Sequence, residues 1–213
     1  MYLHELNAGG HISATPAGAY YATRSDASES ARALLLRLLA RDPTPELTPE
    51  AVRDLADSTD QERSLELLYR MQSLALVQRD GAAKRPPAGS LESLLPALLA
   101  RLSDGGKTLL ADHQGFYIAT AGFPHEAAEE LSALSADVAT MHARHARLLH
   151  GNLNLAGANW GLIDAAGNAQ LGIWNLYCGR SRFALVLSGN PRFNQQAFVD
   201  LVWLLVRRYG AQG

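Results

Sequence analysis

The sequence predicts a mixed α/β chain in two parts: a helical N-terminal segment, then helices that bracket a hairpin and three further strands. Three observations carry this. Gly106 to Gly122 sets two short runs rich in apolar, β-branched and aromatic residues around a polar turn ending in Gly115, the pattern of a β-hairpin with a position suited to φ > 0. Ahead of it, Leu91, Leu94, Leu95, Leu98 and Leu102 recur at helical spacing within Ser90 to Asp104, one apolar helix face. Between the two parts, residues 81–89 contain Gly81, Pro86-Pro87 and Gly89, the composition of a linker.

Residues 1–27 hold an alternating piece, His11 to Thr15, then Pro16-Ala17-Gly18. A small hairpin and a partly ordered tail are both open readings. The first residues, Met1-Tyr2-Leu3-His4-Glu5, lack the basic and apolar regions of a signal peptide. From Ser28 the pattern is helical. Ala31, Leu34, Leu35 and Leu38 form one face, closed by Pro43 and Pro45. Thr48-Pro49 opens a second helix with a cap and a proline at the first helical position. Thr59-Asp60-Gln61-Glu62 reads as a capping box that starts a third helix through Leu65, Leu68 and Met71. Leu74 to Asp80 reads as a strand. Three short helices and a strand over 28–80 resemble a winged-helix module. That resemblance implies a DNA reading in which Gln61, Arg63, Arg70 and Gln72 face a major groove, beside a reading in which the module only packs or binds protein.

Beyond the linker, residues 90–213 are expected to fold as a unit. Acids at Glu126, Glu129 and Glu130 suit the positive end of a long helix running to His150. Two stripes run down it. Ala127, Leu131, Leu134, Val138, Met141, His145 and Leu148 are expected to face the sheet. The small residues Ala128, Ser132, Ser135, Ala139, Ala143 and Ala146 form either a seat for a partner helix or an exposed face. After the 151–159 loop come three strands, Trp160 to Asp164, Leu171 to Tyr177 and Arg182 to Ser188. A helix through Phe198, Leu201, Val202, Leu205 and Tyr209 closes the chain.

The segment Leu109 to Gly115 followed by Ile118-Ala119-Thr120-Ala121-Gly122, the helix start Glu126 to Leu131, and Phe183 to Leu187 together resemble the roadblock family of dynein-light-chain-type regulatory domains. The resemblance covers residues 90–213 and implies a five-stranded antiparallel sheet sandwiched between helices. The long helix lies on one face, the first and last helices on the other. It also implies a homodimer that acts on a small Ras-like GTPase by binding. The expected dimer interface is the small stripe together with Trp160 and Leu162, on a strand expected at a sheet edge. The N-terminal half and the Asn-rich 151–159 loop depart from the family pattern.

Composition narrows the function. The chain has 213 residues, 47% hydrophobic and 19% charged, with a net charge of −2, the proportions of a globular protein with ample core. No apolar run reaches the ~20 residues of a membrane span. Residues 28–80 hold seven arginines against ten acids, which argues against nucleic acid. A single cysteine, Cys178, has no partner for an internal disulfide, so a cytoplasmic setting is expected.

The motifs that suggest chemistry are turn and cap signals. Gly105-Gly106-Lys107-Thr108 resembles the end of a phosphate-binding loop, but a helix precedes it and a strand follows, the reverse of the order that aims N–H groups at phosphate. Gly105 or Gly106 is instead expected to cap the preceding helix. His142, His145 and His150 lack a third ligand at helical spacing, and Asp112-His113 are adjacent strand residues pointing to opposite faces. No catalytic, metal or cofactor residue is assigned. The expectation is a non-catalytic regulatory or scaffold protein. The alternative is a transcriptional regulator that binds DNA through 28–80 and dimerises through 90–213.

Overall fold

The computed structural model describes residues 9–210, which separate by their contacts into two compact units. In chain order the elements are β1 (His11–Ala14), α1 (Pro16–Thr23), α2 (Ser30–Leu39), α3 (Pro49–Ala56), α4 (Gln61–Ser73) and β2 (Val77–Asp80). They continue with α5 (Leu91–Leu99), β3 (Thr108–Ala111), β4 (Tyr117–Ala121), α6 (His125–Arg144) and a π-helical turn (Arg147–Asn152). Last come β5 (Trp160–Ile163), β6 (Ala169–Cys178), β7 (Ser181–Ser188) and α7 (Gln196–Tyr209). No helix among the described residues is long and apolar enough to cross a membrane.

The first unit comprises residues 9–88, 178–180 and 194–210. Its start is neither of the two expected forms, although residues 1–8 lie outside the described residues. β1 pairs antiparallel with the distant β2, His11 opposite Asp80. Helix α1 follows at once because Thr15 accepts a hydrogen bond from the Gly18 N–H at 3.0 Å and Pro16 takes the first helical position. Helices α2, α3 and α4 occupy the expected segments, and Thr48 caps α3 as expected. The α4 cap is Asp60 rather than Thr59, its carboxylate accepting from the Arg63 N–H at 3.1 Å. Aspartate is the stronger cap of the two. The strand begins at Val77, not Leu74, because Ala75 turns the chain at φ 52°.

Helix α7 groups with this unit, which differs from a boundary that keeps 90–213 together. The reason lies in its composition. Ala197, Phe198, Val199 and every residue from Leu201 to Val206 are buried, so the helix needs cover on all sides. Within the unit it packs on α1 and α2. The Tyr20 and Phe198 rings stand 6.5 Å apart, the Trp203 indole N–H donates to the Arg41 carbonyl at 2.9 Å, and Arg207 pairs with Asp42 at 2.9 Å.

The second unit comprises residues 89–177 and 181–193. Its five-stranded antiparallel sheet has the order β4-β3-β7-β6-β5 and is flanked by helices, the architecture expected above, with β5 at an edge. Leu109 and Ala111 of β3, Ala184 and Val186 of β7, and Ile173 of β6 form a core with Ala128 of α6. The opposite-facing Leu110, Leu185 and Leu187 are buried too, so both faces of the central strands are covered. Helix α5 packs along β4 and β3. It ends at Leu99, short of Asp104, and is capped by Ala100 rather than by Gly105 or Gly106. Beyond it the chain turns to pair with residues 188–191, Asp104 N–H donating to Asn190 at 3.1 Å. A Cβ on Gly105 would lie 2.6 Å from the Ser188 carbonyl oxygen, and that close approach explains the glycine.

The buried face of α6 is centred on the small stripe at its N-terminal half, and of the stripe expected to face the sheet only part does so. Ala128, Ser132 and Ser135 are buried, while Leu134 (43% exposed), Met141 (38%) and, beyond the helix, Leu148 (47%) meet solvent. Small side chains let the helix approach its neighbours closely. The buried hydroxyls are satisfied within the helix, Ser132 donating to Ala128 O and Ser135 to Ser132 O, each at 2.7 Å. The tip of the β3–β4 turn presses on the same helix, where a Cβ on Gly115 would lie 3.2 Å from the Ala133 Cα. Leu131 and Val138 flank the contact as partly buried members of the core.

Candidate interaction surface

Among the described residues strand β5 pairs only with β6, and it is exposed along its length, which leaves one edge of its backbone N–H and C=O groups unpaired there. Its side chains are apolar on both faces: Trp160 is 37% exposed, Leu162 65% and Ile163 70%. Exposed Leu148, Leu153 and Leu155, from the π-helical turn and the loop before β5, are further apolar residues on this unit's surface.

Polar contacts hold the strand in place. The Trp160 indole N–H donates to His142 Nδ1 at 3.1 Å, tying β5 to the end of α6. The His142 ring stands 5.4 Å from that of His150. Burial, and then the neighbouring His150, hold the His142 imidazole below its ordinary pKa, which favours the neutral acceptor that Trp160 needs. Immediately before the strand, Asn175 of β6 donates through Nδ2 to the Ala158 carbonyl at 2.7 Å and through its backbone to Asn159 Oδ1 at 3.3 Å. Arg182 in turn donates to Asn175 Oδ1 at 3.1 Å. The loop is thus anchored to the sheet just before β5 begins.

Of the residues expected at a dimer interface, Trp160 and Leu162 lie on this surface. Ala128, Ser132 and Ser135 are buried inside the unit, Ala139 and Ala146 are half-buried, and Ala143 is exposed. Sequence reasoning missed Ile163, Leu148, Leu153 and Leu155; the signal was present in the apolar residues on both faces of so short a strand. Gln61, Arg63 and Arg70 are exposed on α4. Arg63 and Arg70 line a groove of about 720 Å³ whose walls also include Leu67, Met71 and Leu74 and the acids Glu29, Asp57 and Glu66.

The groups with chemical potential are occupied by structure. Burial pushes the Cys178 thiol up to about 12, so thiolate is scarce at neutral pH. Asp112 Oδ1 accepts from the Gln114 and Phe116 N–H groups at 2.9 and 3.0 Å, closing the hairpin turn. Lys107 leads directly into a strand. Among the described residues no three His, Cys, Asp or Glu side chains are grouped to hold a metal ion.

The solved structures to which the chain is similar include two bacterial proteins. The Roadblock/LC7 domain from Streptomyces avermitilis is 13% identical, with a TM-score of 0.35, over 56% of this chain and 93% of that one. The gliding protein MglB from Thermus thermophilus is 16% identical, with a TM-score of 0.33, over 60% of this chain and 96% of that one. No protein-family model matches the chain, and no curated protein matches it.

Proposed function

We propose that this protein is a non-catalytic cytoplasmic regulator that forms a homodimer through β5 and acts by binding a small Ras-like GTPase. The observation that carries the dimer is an unpaired edge strand with apolar residues on both faces. Left in water, such an edge invites pairing with another chain, and a two-fold mate of the same strand covers it with a self-complementary contact. The sole cysteine is consistent with a reducing compartment. The GTPase enters through the hairpin and helix residues that resemble the roadblock family.

Light scattering tests the dimer. At high salt the native chain is expected at twice its 23.0 kDa mass, and Leu162→Asp combined with Ile163→Asp at the monomer mass with an unchanged melting temperature. A native monomer, or a charged variant that stays dimeric, removes β5 as the interface. For the partner, immobilised protein is expected to retain Ras-like GTPases from its own source lysate and to bind no GTP itself. Micromolar GTP binding lost in Lys107→Ala contradicts action by binding alone.

A further inference from the structure

Two helix faces outside β5, one in each unit, carry exposed charges beside apolar side chains. On α4 and its C-terminal cap, Arg63, Leu67, Arg70 and Leu74 follow one another at i, i+4, i+7 and i+11, a single stripe that lines the 720 Å³ groove. On α6, Glu130, Leu134, Asp137 and Met141 repeat the same spacing on the side opposite the buried Ala128, Ser132 and Ser135. One stripe reads basic, apolar, basic, apolar; the other reads acidic, apolar, acidic, apolar. None of the four charges has an ion-pair partner among the described residues.

The acids that share the groove do not cancel its arginines. Glu29 is engaged by Arg24 at 3.5 Å and by the Tyr21 hydroxyl at 2.5 Å, and Asp57 by Arg37 at 2.6 Å. Glu66 is the remaining acid of the lining, against Arg63 and Arg70. An apolar floor between two arginines suits an acidic amphipathic helix better than a phosphate backbone, which offers nothing to Leu67 and Leu74.

We infer that the outer face of α6 in one copy of this chain docks into the α4 groove of another copy. Laid parallel, the stripes match one to one: Glu130 to Arg63, Leu134 to Leu67, Asp137 to Arg70 and Met141 to Leu74. The contact joins unlike surfaces, so it is heterologous and builds rings or open chains rather than closing as a dimer. It is independent of the β5 contact. Opposed charges fix its register and make it weaken with salt.

Charge reversal on the full chain tests this by light scattering. At low salt the native mass is expected to climb with concentration and to fall back at high salt. Arg63→Glu with Arg70→Glu, or Glu130→Arg with Asp137→Arg, is expected to weaken the association at least tenfold. An equimolar mixture of the two variants regains it, because each then offers the other a complementary face. All four side chains are exposed, so both variants keep the native melting temperature, and Arg63→Lys with Arg70→Lys keeps the climb. Leu162→Asp with Ile163→Asp lowers the starting mass and leaves the salt-sensitive climb intact, which separates the two contacts. A native mass that does not change with concentration at low salt overturns the inference. So does a climb that survives either reversal, or a mixture that regains nothing.

Discussion

The hairpins β3–β4 and β5–β6 are built on one turn and end in opposite places. Each turn reads Asp-x-x-Gly-x: Asp112 to Phe116 and Asp164 to Asn168. In each, the aspartate N–H donates to the carbonyl four residues on at 2.9 Å, and its Oδ1 accepts two backbone N–H groups. The glycines, Gly115 and Gly167, sit at φ 91° and 87°, and both strand pairs shift register just before the turn. Yet β3 is buried along its whole length and β5 exposed along its whole length. Turn geometry is local chemistry. Burial is decided by neighbours: β3 has β4 and β7 beside it and α6 upon it, while β5 has β6 alone. Two strands of similar apolar character therefore differ in function, one holding the core and one facing outward.

The largest effect that sharpens this contrast comes from truncating equivalent leucines. Leu110→Ala opens a hole in a closed core and is expected to cost about 3 kcal/mol, while the exposed Leu162→Ala stays within about 0.5 kcal/mol. Urea unfolding of a monomeric background reads both, and similar costs would mean β5 is covered within the monomer.

The glycines come next. Gly167→Ala meets no atom within 4 Å, so only the positive φ opposes it, about 1 kcal/mol. Gly115→Ala adds crowding against Ala133 and Ala136, both at 3.2 Å, for about 2 kcal/mol in all. Thermal melts that rank the two the other way would separate the turn from α6.

The smallest effect concerns acid. The Asn168 backbone N–H, followed by its side chain, holds the Asp164 carboxyl below its ordinary value of 3.8. A depressed folded value means that the stabilisation is present above 3.8 and fades as pH falls through the lower folded value. NMR titration should place Asp164 below a free aspartate, and Asp164→Asn should remove its share of the acid limb. An ordinary titration would show the turn open in solution.

What could be read in advance follows from range. The turn at Gly115, the Thr48 cap and the succession of helices and strands along the chain rest on neighbours in sequence, and these were legible, whereas Asp112 and His113, expected in a strand, lie in the turn beyond Ala111. The face of α6 was not, since both stripes share one period and hydrophobicity alone favours the larger. The choice depended on how closely the helix meets the sheet, which small residues permit. The partners of α7 were likewise hidden: an apolar helix announces that it is covered, not by what. Of the candidate surface, Trp160, Leu162 and the edge position of their strand were legible. The breadth of the apolar patch depended on where the 151–159 loop lies.

Helix α7 also bears on synthesis. The Trp203 hydrogen bond to Arg41 spans 162 residues, so the first unit cannot be completed until the last helix has left the ribosome. The second unit is nearly contiguous, from 89 to 193 apart from the 178–180 turn, and all its parts emerge earlier. The unit translated first is thus finished last, and its α1 and α2 wait with Tyr20 and Leu38 uncovered, surfaces that a nascent chain would offer to chaperones.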